Sequence, residues 1–273
     1  MEKFITFKKI NRIVIKIGTS TIMKNINEVN ISNLERIVRV ISYLHNQGRE
    51  VVVVSSGAIG MGVSKIGLKR KPKKLEDKQA MAAIGQGLLM HIYEDIFAKY
   101  GITVAQMLLT RSDFEDNNRK HNTDNTFSAL FKYKVIPIVN ENDTVAVEEI
   151  VYGDNDTLSA VVSTLIKSEL LVMLSDTDGL YTGDPRTNKK VKKLSLVENI
   201  DRDIENFCWG AGSAFGTGGM KTKIFAAKIA TSQGICVAII KGDEPEQIIN
   251  LVFGEIKGTV FLPKIEKGAV LNE

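Results

Sequence analysis

Six short aliphatic, β-rich runs, with helical patterns between most of them, restrict the fold of this chain more than any other feature. Residues 12–17 (RIVIKI), 50–55 (EVVVVS), 102–109, 135–140, 170–175 and 235–241 read as strands. Leu34, Ile37, Val38, Ile41 and Leu44 recur at three-and-four spacing, the signature of one buried helix face. Asn30 or Ser32 is placed to cap that helix, and Gly48 to end it. A longer helical pattern covers residues 75–100, with Met81, Ile84, Leu88 and Ile92 on one stripe. That stripe suits core packing or a contact between subunits. The second run, EVVVVS, is too apolar for a strand with one wet face, so it belongs at the centre of a parallel sheet. Strand, helix, strand repeated in this way predicts an α/β fold, a three-layer αβα sandwich around a mostly parallel sheet. Pro137 lies inside one strand, so its missing amide must fall where the ladder needs no donor. Residues 144–153 alternate (TVAVEEIVYG) and suit a hairpin better than a crossover. With no repeat or Pro/Ser-rich linker, residues 1–273 read as a single domain of at most two lobes.

Composition excludes several classes. No apolar run of membrane-spanning length occurs, and the opening MEKFITFKKINR lacks the apolar core of a signal peptide, so a cytoplasmic protein is expected. Cys208 and Cys236 are too few for a disulfide framework or a zinc site, and His45, His91 and His121 share no ligand spacing, so no metal site is expected. The net charge of +4 is concentrated in Lys65, Lys69, Arg70, Lys71, Lys73 and Lys74 and in Lys189, Lys190, Lys192 and Lys193. Without those ten residues the chain is acidic, with 26 basic against 32 acidic side chains. Neither cluster carries an aromatic residue, which argues for solvated loops and against nucleic acid.

Almost every strand ends in a turn of small and polar residues, where an open α/β sheet exposes backbone amides to ligands. The turns read Lys16-Ile17-Gly18-Thr19-Ser20, Ser55-Ser56-Gly57-Ala58-Ile59-Gly60, Asn140-Glu141-Asn142-Asp143, Gly153-Asp154-Asn155-Asp156 and Ser175-Asp176-Thr177-Asp178-Gly179, followed by the glycine-rich residues 210–223. Glycines at such points let N–H groups approach phosphate oxygens. No G-x-x-x-x-G-K-[ST] is present, and no G-x-G-x-x-G follows the first strand, so a P-loop NTPase and a dinucleotide oxidoreductase both lose support. Taken alone, Lys16 also suits a snorkelling strand end, and Asp143 and Asp154 suit turn formers. Asp156, ahead of Thr157-Leu158-Ser159, suits a helix N-cap.

Six motifs occur in a fixed order: K-x-G-T-S, S-S-G-A-I-G, N-E-N-D, G-D-N-D, S-D-x-x-G-L-Y-x-x-D-P-R and G-T-G-G-M-x-T-K. Together they resemble the amino-acid kinase family over nearly the whole chain, and within it the members that phosphorylate the γ-carboxylate of glutamate. The resemblance implies an ATP- and Mg²⁺-dependent kinase opening proline biosynthesis. Its substrates would be L-glutamate and ATP, and proline an inhibitor. It also implies a homodimer or homotetramer and hand-over of product to glutamyl-phosphate reductase. An N-terminal lobe, roughly 1–165, would hold the acceptor, and a C-terminal lobe, roughly 166–262, the nucleotide. The RNA-binding-like PUA domain that many members append finds no room here. Position by position, Lys16 and Lys223 resemble the lysines that neutralise the phosphoryl group in flight, and Asp156 an aspartate that orients them. Ser56, Gly57, Asp143 and Asn155 resemble the acceptor site. Lys16, Ser175, Asp176, Thr217, Gly218, Gly219, Met220, Lys221, Thr222 and Lys223 resemble the nucleotide site. Ser175 stands where threonine is expected and keeps the hydroxyl.

A carboxylate acceptor, which ordinarily titrates at about pH 4.3, is already ionised at neutral pH and needs no general base. The barrier is repulsion between two anions, which lysines, amides and Mg²⁺ offset. Two other readings remain: a sister kinase acting on another carboxylate, carbamate or nucleotide, and a catalytically inactive amino-acid sensor. The N-E-N-D and G-D-N-D pair argues against the first, and the paired lysines against the second.

Overall fold

The computed structural model describes residues 10–26, 28–145, 154–185, 187–188, 190–207 and 219–264. In chain order the elements are β1 (Arg12–Ile17), α1 (Thr19–Ile22), β2 (Met23–Asn25), β3 (Glu28–Val29), α2 (Ile31–Asn46), β4 (Glu50–Ser55), α3 (Ala58–Ile66), α4 (Leu75–Ala98), β5 (Val104–Leu109), α5 (Ser112–Glu115) and α6 (Asn117–Lys132). There follow β6 (Ile136–Glu141), α7 (Asn155–Leu165), β7 (Leu170–Ser175), β8 (Leu180–Tyr181), β9 (Lys193–Leu194), β10 (Leu196–Val197), α8 (Arg202–Asn206), α9 (Met220–Ser232), β11 (Cys236–Lys241), α10 (Gln247–Val252) and β12 (Thr259–Phe261). All six strands read from the sequence are present, with ends shifted by two residues at most.

Eight strands form the main sheet in the order β10-β12-β11-β7-β1-β4-β6-β5. From β11 to β5 every pairing is parallel; β12 runs antiparallel to β11. The strand pleat sorts side chains into two layers. Ile13, Ile15 and Ile17 of β1 join α2, α4 and α10 on one face. Val14 faces the other way, with α6, α7 and α9. The expected αβα sandwich is therefore present, and EVVVVS lies inside it, between β1 and β6. The same parity puts Lys16 on the α7/α9 face, two residues beyond Val14.

Pro137 is accommodated as its chemistry demands. Ile136 donates its amide toward β5, to Thr103 O, so the next amide position points toward β4. The β4 register begins only at Ile138, so no ladder bond is lost. Asn30 occupies the N-cap position of α2, but its side chain makes no capping bond there. Gly48, at φ +83°, follows the helix as expected. Residues 146–153, most of the expected hairpin, lie outside the described residues. On α4 the buried face is Ala82, Gly85, Gln86, Leu89, Tyr93, Ile96 and Phe97. Core packing thus falls beside the Met81/Ile84/Leu88/Ile92 stripe, where Ile84 is exposed and the others are half-buried.

The closest helix contact is α3 on α4. A Cβ at Gly85 would stand 1.8 Å from Ala58 O, and one at Gly62 2.0 Å from Met81 O. No relaxation of a side chain relieves a clash with backbone, so the helices must separate. Gly85→Ala is expected to lower stability by about 1–3 kcal/mol or more, the usual cost of overpacking. Thermal unfolding measures it; an unchanged midpoint would contradict this contact.

Candidate active site

The carboxyl ends of β1, β4, β6 and β7 open on one edge of the sheet, and the helices that follow bring their first turns there. Asp156 lies in the first turn of α7 and is 1% exposed. Its Oδ1 is 2.7 Å from Lys16 Nζ, and its Oδ2 is 3.1 Å from Lys223 Nζ. Thr222 donates its hydroxyl to the same Oδ2 at 2.7 Å. A strand end and two helix starts, far apart in sequence, thus meet on one carboxylate.

Charge explains why the arrangement holds. Burial alone would raise the Asp156 carboxyl, but the two adjoining ammonium groups outweigh it and hold the group far below the carboxylate range. Burial pulls the Lys16 ammonium below the usual lysine range; Asp156 opposes that and the Lys223 charge adds to it. One carboxylate therefore serves two buried cations, leaving the trio one net positive charge for a further anion.

The alternative reading of Asp156 as the N-cap of α7 is not met. The N-cap is Asp154, whose Oδ1 accepts from the Thr157 amide at 2.7 Å, and Asp156 sits two residues further on with its carboxylate turned to the lysines. A cap must precede the first helical residue, and Asn155 is already helical.

Beside the trio, the Asn155 amide nitrogen donates to Ser56 Oγ at 2.8 Å and to Asn140 Oδ1 at 2.9 Å. Since Ser56 accepts from Asn155, its own hydroxyl hydrogen points elsewhere, free to meet an incoming oxygen. Gly57 starts α3 at φ +107°, a left-handed conformation that favours glycine, and a Cβ there would touch Ile22. Asp143 is half-buried, and burial pushes its carboxyl up to about 6. Glu141 is pushed up to about 7 by burial and by the charges of Asp143 and Asp154. Burial raises Asp154 as well. The motif resemblance surrounds the acceptor with N-E-N-D but assigns no individual role to Asn140 or Glu141.

Across the sheet edge, Ser175 is buried at the end of β7 and its hydroxyl donates to the Asp176 carboxylate at 3.2 Å. Asp176 is exposed. Gly219 is the N-cap residue of α9, and Met220 is buried at its first position. Lys221 and Lys223, two apart on a helix, point to different sides, so Lys221 is exposed where Lys223 is buried. Thr217 and Gly218 lie outside the described residues.

The Amino acid kinase family profile matches residues 11–241. The chain belongs to the amino-acid kinase family. Curated relatives include the glutamate 5-kinase of Clostridium acetobutylicum, 51% identical over 96% of this chain and 98% of its own. That of Clostridium tetani is 51% identical over 93% and 95%, and that of Moorella thermoacetica 51% identical over 93% and 67%. Solved structures share the fold at low identity. UMP kinase from Bacillus anthracis aligns with a TM-score of 0.63 at 15% identity, over 94% of this chain and 98% of that one. Carbamate kinase from Giardia lamblia bound to AMP-PNP aligns at 0.64 and 16%, over 93% and 99%.

Proposed function

We propose that this amino-acid kinase transfers the γ-phosphoryl group of ATP to the γ-carboxylate of L-glutamate, giving L-glutamyl 5-phosphate, the first step of proline biosynthesis. The observation that carries the reading is the Lys16–Asp156–Lys223 trio beside the Ser56–Asn155–Asn140 network. Phosphoryl transfer between two anions needs buried positive charge at the point of transfer and polar groups to hold the acceptor against it. Lys16 and Lys223 would supply the charge, and Asp156 would fix both ammonium groups. The Ser56 hydroxyl and the Asn155 amide would hold the acceptor, and the acidic pair Glu141 and Asp143 would face its α-ammonium group. Residues before β7 would form the acceptor lobe. Those after it, with Ser175, Asp176 and the 217–223 segment, would form the nucleotide lobe. Mg²⁺ would arrive with ATP, held by phosphates and waters, and would neutralise phosphate charge.

Hydroxylamine trapping tests the reaction. L-glutamate with Mg²⁺ and ATP is expected to release ADP and form a hydroxamate, with little from N-acetylglutamate or aspartate. Proline is expected to inhibit, and to do so less as glutamate rises. If N-acetylglutamate were the better acceptor, the assignment within the family would be wrong.

The raised carboxyls make acceptor binding depend on pH in a defined direction. Asp143 at about 6 and Glu141 at about 7 are protonated in acid, and a cation binds only their ionised forms. Glutamate affinity should therefore fall as pH drops from 8 to 5.5. KM for glutamate should rise several-fold while KM for ATP moves less, and Asp143→Asn should flatten that slope. Parallel pH profiles for both substrates would count against the assignment of the acidic pair.

A further inference from the structure

Gln86 is a buried amide in the middle of α4, on the same face as Ala82, Leu89 and Tyr93, and only 8% exposed. Nothing in helix formation asks for a polar side chain there, and a buried amide is costly unless its hydrogen bonds are met. Its Oε1 accepts from Asn140 Nδ2 at 2.9 Å. Asn140 is itself 2% exposed, and its Oδ1 accepts from Asn155 Nδ2 at 2.9 Å. Asn155 Nδ2 also reaches Ser56 Oγ at 2.8 Å and the Ser55 backbone carbonyl at 3.3 Å. Three amides, one each from α4, β6 and α7, thus run head to tail to the acceptor side of the site.

The direction of this chain is not free. The Ser55 carbonyl can only accept, so Asn155 must turn its NH₂ group toward it. Asn140 must then offer its oxygen to Asn155 and its NH₂ group to α4. Only an oxygen at position 86 satisfies that group. If it were missing, Asn140 would have a buried donor unmet and reason to rotate, and rotation would set two NH₂ groups face to face. Asn155 would lose its orientation. With the chain in place, Asn155 Oδ1 is shielded from solvent and has no partner among the described residues, an acceptor held ready for a donor on the substrate.

We propose that Gln86 is a positioning residue for the acceptor substrate, acting through Asn140 to fix the amide of Asn155. This rests on the glutamate kinase reading above. α4 also braces the end of the neighbouring strand β4, since Tyr93 OH and Ser55 Oγ lie 2.8 Å apart. The close crossing at Gly85, the neighbouring residue, sets how deep α4 carries Gln86. The phosphoryl-transfer trio lies outside this chain of amides, so the effect of Gln86 should be confined to the acceptor.

Steady-state kinetics with glutamate and ATP varied separately test the proposal on the full-length enzyme. Gln86→Met and Gln86→Asn remove the accepting oxygen or withdraw it by one methylene. Each is expected to raise KM for glutamate about tenfold, the effect of one ordinary hydrogen bond, with kcat and KM for ATP within about twofold. Gln86→Glu keeps an oxygen facing Asn140 and should stay within about threefold of wild type. A folded Gln86→Met or Gln86→Asn with unchanged KM for glutamate overturns the proposal. So do equal rises in both KM values, or a Gln86→Glu enzyme as impaired as Gln86→Met. If Gln86→Met does not fold, Gln86→Asn decides; if neither folds, the residue is structural and the proposal fails. Wild-type enzyme that forms no hydroxamate from glutamate would overturn the reaction and this role together. An active wild type with unaffected variants overturns the role alone.

Discussion

Lys223→Met is expected to lower kcat by about 10²–10³ while leaving KM for glutamate within a few-fold of wild type, the cost of removing one charge-stabilising group from a transition state. Lys16→Met should behave alike. Both ammonium groups are buried, at 6% exposure each, and reach the same carboxylate, so both aim at one point. In a site shielded from water, a fixed positive charge acts strongly on negative charge that develops beside it. The Ser56–Asn155–Asn140 network, proposed to hold the acceptor, is separate, so Ser56→Ala or Asn155→Ala should instead raise KM for glutamate, their contacts being made equally before and during transfer. The deciding measurement is kcat for folded Lys223→Met at saturating glutamate and ATP. A value within about threefold of wild type, under about 1 kcal/mol, would show that Lys223 does not act on the transferred group.

Much of this site was legible in the chain because its parts are local. Lys16 closes an apolar strand, and period-two alternation alone puts it on the face of Val14 rather than that of Ile15 and Ile17. The strands were readable for the same reason: a run such as EVVVVS, buried on both faces, has no other stable setting. What escaped was long-range. Nothing near Gln86 in sequence signals that it meets Asn140, 54 residues away, and a glutamine within a helical pattern reads as surface. Nothing local marks Gly62 and Gly85 either; only the crossing of α3 and α4 leaves no room for a Cβ at these positions. Asp154 reads locally as a turn former and Asp156 as a helix cap, because the first residue of α7 cannot be fixed from composition. Register decides which caps and which turns inward.

Asp156→Asn carries the other large expectation, and it separates a charge role from a packing role. Asparagine keeps the shape and one oxygen, but it leaves Lys16 and Lys223 as two buried ammonium groups facing each other. Removing one member of a buried ion pair costs about 3–5 kcal/mol, far above the roughly 1 kcal/mol of a lost helix cap. The variant should therefore unfold at a markedly lower temperature than wild type. The charge account makes two further claims. Burial and Lys223 already pull the Lys16 ammonium down, and without the opposing effect of Asp156 it must fall further. Residual kcat of Asp156→Asn should then fall with rising pH at a lower pH than that of the wild type, because Lys16 loses its proton more easily. ATP, whose phosphates bring the missing negative charge, should also raise the melting temperature of the variant by more than it raises that of wild type. An Asp156→Asn enzyme with wild-type kcat, an unshifted pH profile and an ordinary ATP-dependent stabilisation would show that Asp156 does not hold the two lysines for transfer.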